Sequence, residues 1–219
     1  NVIEGGWDPA DDGHYAPRKK KRVVANDYSH QQQHREPPRE QAYVKNIQPK
    51  SEGQAKLMEA IDRSNLVLAL GPAGTGKTYI AIAKAVDALR AGTIGRIVLC
   101  RPAVDAGENI GFLPGDMEEK LAPYLRPLYD ALQDRMSAKQ VKAMIAEGQI
   151  EIASVGFMRG RTLNNAFIVV DEAQNCTYVQ LKMILTRLGW NSKMIVTGDP
   201  AQSDLLPELQ GRLPIRVEL

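Results

Sequence analysis

Residues 66–78, LVLALGPAGTGKT, join a short apolar run to a glycine-rich turn. The apolar run is typical of a strand buried on both faces in a parallel sheet. The turn, residues 71–78, matches G-x-x-x-x-G-K-[ST] in full. Its glycines allow backbone N–H groups to turn inward around a phosphate, and the N-terminus of a following helix adds the positive end of a dipole. A phosphate-binding loop between a strand and a helix is therefore predicted.

The phosphate loop predicts a site for ATP and Mg²⁺. Lys77 is expected to reach the β- and γ-phosphates, and the Thr78 hydroxyl to complete the shell of the metal ion. The residues predicted to bind the nucleotide are Gly71, Pro72, Ala73, Gly74, Thr75, Gly76, Lys77 and Thr78.

A second apolar run, residues 167–170, ends in the carboxylates Asp171 and Glu172. A nucleoside triphosphatase needs one acid to hold the metal ion and another to orient the attacking water. We assign the metal to Asp171, which is nearer the strand, and the water to Glu172. Such acidic pairs are common on protein surfaces, and the assignment depends on the complete phosphate loop upstream.

A third run, residues 194–197, delivers polar groups to the same edge of the predicted sheet. Gln202 is expected to hydrogen-bond the γ-phosphate or the attacking water. Asp199 either joins this sensing role or forms the turn before Pro200.

Gln54 lies one helix and one strand before the phosphate loop. Its amide can pair with an adenine edge through a donor and an acceptor. The spacing Ser51-x-x-Gln54 fits a helix capping box equally well, so the residues alone leave both roles open.

Strand-like and helix-like segments alternate along residues 46–219, which predicts an α/β fold with a parallel sheet of about five strands flanked by helices. The strands are expected at 66–70, 96–100, 149–154, 166–171 and 193–197, and helices after the phosphate loop at 77–90, 116–133, 138–147 and 178–188. Residues 1–45 lack apolar periodicity and are predicted to form a mobile arm. The arm contains a basic run at 18–22, which either contacts nucleic acid or is a solvated charge cluster.

Composition limits the function classes. A net charge of +2 over 219 residues excludes a strongly basic molecule, so any nucleic-acid contact must come from a local patch. The two cysteines, Cys100 and Cys176, form no C-x-x-C pair, which argues against a zinc site or a disulfide framework. No apolar run approaches the roughly 20 residues of a membrane helix, and no signal pattern opens the chain. We therefore expect a cytoplasmic protein without a membrane partner.

Several further segments resemble the PhoH family of P-loop ATPases over about residues 48–205. They are RPAVDAGE at 101–108, GFLPGD at 111–116, PYLRPLYD at 123–130, FMRGRTL at 157–163 and DEAQN at 171–175. The resemblance implies a RecA-like core similar to the first motor domain of superfamily-one helicases. It further implies an adenine-reading Gln54, a Gln174 in the nucleotide-linked network, association with RNA, and assembly into rings, commonly hexamers. No PIN-like nuclease segment is visible, so nuclease activity is not expected.

An arginine that neutralises developing charge accelerates phosphoryl transfer, and a chain of this length has no room for a second motor domain to supply it. The candidates are Arg159, Arg161 and Arg187. Arg101 follows a strand and is expected to contact a nucleic-acid phosphate or a nucleotide. Each of the four is alternatively an ordinary surface arginine. Relatives continue after residue 202 with a glycine-containing helix and a further strand, so the C-terminal end of the domain, residues 46–219, is expected to be shortened and to lack a final strand.

The leading function is ATP hydrolysis coupled to RNA binding or remodelling. The alternatives are an ATP-controlled assembly switch and a small-molecule kinase, and the segments around Gln174 and Gln202 argue against the kinase.

Overall fold

The computed structural model describes residues 46–102, 117–202 and 216–219, with side chains of the helix at 117–133 described from residue 122 onward. The predicted arm, residues 1–45, lies outside the described residues. So do residues 103–116, which carry two of the segments quoted for the family resemblance, and residues 203–215.

Five α-helices and six β-strands make up the described part of the chain. The helices are α1 (Glu52–Arg63), α2 (Lys77–Arg90), α3 (Met117–Gln133), α4 (Ala138–Ala146) and α5 (Tyr178–Leu185). The strands are β1 (Leu66–Leu70), β2 (Arg96–Arg101), β3 (Ile150–Ser154), β4 (Ala166–Val170), β5 (Lys193–Gly198) and β6 (Arg216–Glu218). Short 3-10 turns follow β3 at Val155–Met158, β4 at Ala173–Asn175 and β5 at Pro200–Gln202.

All six strands are parallel and lie in the order β3-β2-β4-β5-β1-β6. The predicted α/β fold with a parallel sheet flanked by helices is confirmed, and the sheet has six strands where about five were expected. The additional strand is β6, which pairs with β1 from Leu68↔Arg216 to Leu70↔Glu218. It lies at the C-terminal end, where a final strand was expected to be missing. Three residues are too few to produce a periodic signal, so pairing with β1 defines this strand.

Alternation along the strands sorts the core into two layers. In β1, Val67 and Ala69 pack on the side that α1, α2, α3 and α4 cover. Leu68 and Leu70 point to the other side, where α5 and the 3-10 turns lie. Because successive strand residues face opposite sides, a continuous apolar run fills both layers, as the sequence predicted.

One helix is shorter than its sequence pattern indicates. The pattern predicted a helix to residue 188, but α5 ends at Leu185. Beyond it, the Leu163 N–H donates to the Arg187 carbonyl at 2.9 Å, and Leu163 bridges Leu188 in parallel. The chain therefore leaves the helix to make a sheet-like contact.

The strand order brings three chain segments together. Since β5 lies between β1 and β4, the carboxyl ends of these three strands are neighbours at one edge of the sheet. Helix α2 begins at the same edge, directly after the loop that follows β1. Within the described residues, no helix is both long and apolar enough to cross a membrane.

Candidate nucleotide site

The glycine-rich loop between β1 and α2 has the backbone that a phosphate-binding loop requires. Gly74 and Gly76 have φ of 79° and 85°, the left-handed region that favours glycine. The Gly71 N–H donates to the Gly198 carbonyl at 3.2 Å, which anchors the loop to the end of β5. Gly76 is the N-cap residue of α2, so the free N–H groups of the first helical turn open into the loop.

The Lys77 side chain lies along the inside of the loop. Its Nζ donates to the carbonyls of Gly71 and Pro72 at 2.7 Å each and approaches the Thr75 hydroxyl at 3.3 Å. Burial lowers the pKa of Lys77, and the nearby carboxylates, Asp199 first, partly oppose this change. An entering phosphate would compete with two loop carbonyls for this ammonium group.

The two residues predicted to hold a metal ion are in direct contact. The Thr78 hydroxyl donates to Asp171 Oδ1 at 2.5 Å, and the Thr197 hydroxyl donates to the same oxygen at 2.8 Å. Asp171 is buried, and its N–H continues the sheet by donating to the Cys100 carbonyl at 2.8 Å. Hydroxyl and carboxylate oxygens are the hard donors that Mg²⁺ prefers, and Mg²⁺ usually takes one or two protein oxygens beside waters and phosphates. The residues present fit this ion.

Glu172 has an unusual backbone, with φ 54° and ψ 44°. A glutamate is rarely found in this left-handed region, and such strain concentrates at functional sites. The conformation turns the chain at the end of β4, where the 3-10 turn Ala173–Asn175 begins. Asp171 is buried directly after the end of β4, whereas Glu172 is half-buried in the lining of the cleft.

Gln174 links the acidic pair to the end of β5. Its Nε2 donates to Glu172 Oε2 and lies 3.4 Å from Gln202 Oε1. Its Oε1 accepts from the Asp199 N–H at 3.1 Å. Asp199 accepts from the Ala201 N–H at 3.0 Å and from Gln202 Nε2 at 2.8 Å. Asp199 therefore forms the turn, one of the two roles left open for it, and orients Gln202.

Gln54 contacts the phosphate loop. Its Nε2 donates to the Thr75 carbonyl at 3.0 Å, and its Oε1 accepts from the Lys50 N–H at 2.8 Å. The Ser51 hydroxyl accepts from the Gln54 N–H at 3.2 Å, so half of the predicted capping box is present. The amide bridges to Lys50 instead of closing the box, and it supports the loop beside Gly76. Its contact with adenine stays a prediction.

The four candidate arginines lie in different places. Arg101 is in the site, where its Nε is 3.9 Å from Asp171 Oδ2 and one terminal nitrogen is 3.6 Å from Glu172 Oε1. Arg161 forms a two-pronged ion pair with Glu151 on β3, at 2.5 and 2.7 Å. Arg187 donates to the carbonyls of Met183 and Arg161 at 3.1 and 2.9 Å.

The fourth candidate, Arg159, is exposed after the 3-10 turn that follows β3, two positions after Phe157, which is 56% exposed. The described residues thus bring only Arg101 to the carboxylates. A role of the other three toward a neighbouring subunit stays a prediction.

Part of the phosphate loop, the acidic pair, Gln174 and Gln202 line one cleft of about 260 Å³ at the carboxyl edge of the sheet, whereas Gln54 and the four arginines are not in its lining. Its lining comprises Ala73, Gly74, Gly76, Lys77, Thr78, Tyr79, Asp171, Glu172, Gln174, Thr197, Gly198, Asp199 and Gln202. The sequence analysis gave no role to Tyr79, Thr197 or Gly198. For Thr197, a polar residue at the end of an apolar strand was the available signal.

The fold and the site define a P-loop NTPase core. The family model described as PhoH-like protein matches residues 46–213, and the chain belongs to the PhoH family. The PhoH-like protein of Mycobacterium leprae (strain TN) is 57% identical over 161 residues, which are 74% of this chain and 46% of the relative. The PhoH-like protein of Bacillus subtilis (strain 168) is 53% identical over 175 residues, 80% of this chain and 55% of the relative.

Protein PhoH of Escherichia coli (strain K12) is 47% identical over 161 residues, 73% of this chain and 46% of the relative. The chain spans about half the length of these curated relatives. Among solved structures, the DUF1998 helicase MrfA bound to DNA aligns with 77% of this chain and 27% of its own, at 13% identity and a TM-score of 0.48. That likeness is too weak to support an inference.

Proposed function

We propose that this chain binds ATP with Mg²⁺ and hydrolyses it. The observation that carries the proposal is the hydrogen bond from Thr78 to Asp171, because it joins the phosphate loop to the acidic strand and brings together two oxygen donors of the kind that Mg²⁺ prefers. The family resemblance favours ATP as the nucleotide.

The site residues divide the work of phosphoryl transfer. Lys77 would release its loop carbonyls and neutralise the γ-phosphate, while Thr78 and Asp171 would hold Mg²⁺, which neutralises developing charge. Glu172 would orient and activate water, with one carboxylate oxygen fixed by Gln174. Gln202, aligned by Asp199, is suited to sense the γ-phosphate or the water.

We further propose that hydrolysis is coupled to RNA. Support comes from the family resemblance and from Phe157 and Arg159, since an exposed aromatic residue two positions from an exposed arginine suits single-stranded nucleic acid. A cytoplasmic location is part of this proposal.

Assembly into a ring, commonly of six subunits in the family, would supply an arginine to the neighbouring site. Arg159 is the candidate that we favour, because Arg161 and Arg187 already bind groups of their own subunit. A protein that stays monomeric with ATP and RNA and still hydrolyses ATP at full rate would rule the ring out.

The second candidate function is an ATP-controlled assembly switch without helicase activity. The observation that favours it is the pair of bonds from Lys77 to Gly71 and Pro72, since exchange of these carbonyls for phosphate would itself rearrange the loop. A switch would bind ATP and change its assembly without net turnover.

The decisive experiment compares ATPase rates with and without RNA for the wild type and Glu172→Gln. We expect kcat to fall at least about 100-fold in the variant, because a general base contributes this much or more, while ATP affinity is kept. Glu147→Gln is the matched control, since Glu147 is an exposed residue at the end of α4, away from the cleft.

Each outcome separates the candidates. Stimulation by RNA that disappears in Glu172→Gln supports the motor, whereas a flat response to RNA removes the coupling and leaves the ATPase. Binding of ATP with no turnover in the wild type supports the switch.

A further inference from the structure

Arg101 is the last residue of β2, and its guanidinium lies between two parts of the molecule. On one side are the carboxylates, with Nε 3.9 Å from Asp171 Oδ2 and one terminal nitrogen 3.6 Å from Glu172 Oε1. On the other side, the second terminal nitrogen donates to the main-chain carbonyl of Tyr124 in α3 at 3.3 Å. Each nitrogen therefore faces a different group, an arrangement that the planar fork of arginine allows and an ammonium does not.

The helix that Arg101 contacts is locally weakened. Two prolines, Pro123 and Pro127, lie inside α3 on either side of Tyr124. Proline has no N–H to donate to the carbonyl four residues earlier, and its ring crowds that carbonyl, so α3 lacks a backbone hydrogen bond at each of these positions. The contact with Arg101 falls in this segment.

At these distances, the carboxylates of Asp171 and Glu172 respond to the position of the Arg101 guanidinium. Both distances exceed the usual length of a direct hydrogen bond, so the guanidinium acts through its charge and its position. The side chain is only 22% exposed, and partial burial strengthens such an interaction. A shift of Tyr124 would move the guanidinium relative to Glu172.

We propose that Arg101 is a positioning residue that links α3 to the two carboxylates, so that the placement of α3 sets the rate of ATP hydrolysis. This inference rests on the proposed hydrolysis. It assigns to Arg101 a contact within its own subunit, where the sequence suggested a nucleic-acid phosphate or a nucleotide.

The first test replaces the guanidinium. In Arg101→Met, which keeps an unbranched side chain without charge, we expect kcat to fall about tenfold or more while the KM for ATP stays within about threefold. Arg101→Lys should recover part of kcat, since it restores the charge but cannot reach three groups at once. Arg96→Met removes a charge from the opposite end of β2 and should leave kcat unchanged. Thermal unfolding and binding of a fluorescent ATP analogue report whether each variant is folded.

The second test asks whether α3 acts through Arg101. Pro127→Ala restores an N–H that can donate to the Pro123 carbonyl, which adds a backbone hydrogen bond to α3. We expect it to change kcat at least about threefold in the wild type and to have no effect in Arg101→Met, which is the non-additivity of two coupled residues.

The outcomes distinguish this inference from the proposed function. If the wild type binds ATP and does not hydrolyse it, both are overturned. If the wild type hydrolyses ATP and Arg101→Met keeps its kcat, or loses only affinity, the inference alone is overturned. Equal effects of Pro127→Ala in both backgrounds also overturn the link to α3.

Discussion

At the scale of single residues, close backbone packing decides what can occupy the start of the phosphate loop. A Cβ added at Gly71 would lie 2.6 Å from the main-chain oxygen of Leu219, nearer than such atoms approach. Gly71 also has a φ of 155°, outside the range common for other residues. Glycine is therefore required at this position both because a Cβ would overlap with Leu219 and because of the backbone angle φ.

We predict that Gly71→Ala lowers the free energy of unfolding by about 2–4 kcal/mol, because overlap with backbone and an unfavourable φ act together. Thermal or urea denaturation measures the loss. The matched control is Gly148→Ala, where φ is +72° and nothing lies within 4 Å of the added Cβ. This control should lose about 1 kcal/mol, from backbone strain alone. Equal losses in both variants would contradict the steric explanation.

The residues that belong to a local sequence motif were predictable from the sequence, and the residues that only the fold brings together were not. Lys77 and Thr78 follow from the loop motif, and Asp171 from its place at the end of an apolar strand. The bond from Thr197 to Asp171 depends on β5 lying beside β4, which no local pattern states. The contact of Arg101 with the Tyr124 carbonyl in α3 could not be predicted from the sequence either, because every residue type carries a main-chain carbonyl.

At the scale of elements, the edge strand β3 is tied to the segment after it by one ion pair. Arg161 follows the 3-10 turn, and its two terminal nitrogens donate hydrogen bonds to the two carboxylate oxygens of Glu151 on β3. This hydrogen bonding lowers the pKa of Glu151. Because the folded pKa lies below the unfolded value, the stabilisation is present at pH above the unfolded pKa and is lost as pH falls through the folded pKa.

We predict that Glu151→Gln is less stable than the wild type by about 1 kcal/mol near neutral pH, since both side chains are about one-third exposed and solvent screens the pair. The difference should shrink as pH falls through the lowered pKa of Glu151, because protonation of the wild-type carboxyl removes the ion pair. Urea denaturation at several pH values measures it. A difference that persists undiminished in acid would show that the ion pair is not its cause.

Element boundaries were the least predictable part of the fold. The apolar pattern continued to Leu188, whereas α5 ends at Leu185 because the next residues bond to the chain around Leu163. Strand β6 was unexpected for a related reason, since three residues become a strand only when β1 offers a free edge. Long-range pairing, which a local pattern does not contain, decided both cases.

At the scale of the whole molecule, the two cysteines report on the integrity of the core. Cys100 and Cys176 are both buried in the layer that α5 covers. Burial raises the pKa of the Cys100 thiol and raises that of Cys176 to about 12. Neither sulfur is accessible or ionised near neutral pH, so neither is a nucleophile in the folded protein.

We predict that a thiol reagent such as iodoacetamide labels neither cysteine in the native protein at about pH 8, and labels both once urea unfolds it. Mass spectrometry of a labelling time course measures this. Rapid labelling of Cys176 without denaturant would show that the layer under α5 opens on its own.

The alternation of strands and helices was sufficient to predict the parallel sheet, because the spacing of apolar residues identifies each strand and helix in the sequence. The order of the strands was not predictable in the same way. That β5 lies between β1 and β4 depends on contacts among segments more than 20 residues apart in the chain.

The place of β6 beside the phosphate loop has a mechanical consequence. The Leu219 N–H donates to the Leu70 carbonyl at 2.8 Å, and the Leu219 main chain touches Gly53 and Gly71. A force that pulls β6 away from the edge of the sheet would thus act first on Gly71, the first residue of the phosphate loop. We therefore expect that separating β6 from β1 also loosens the start of the phosphate loop, so the loop depends on this edge of the sheet for its support.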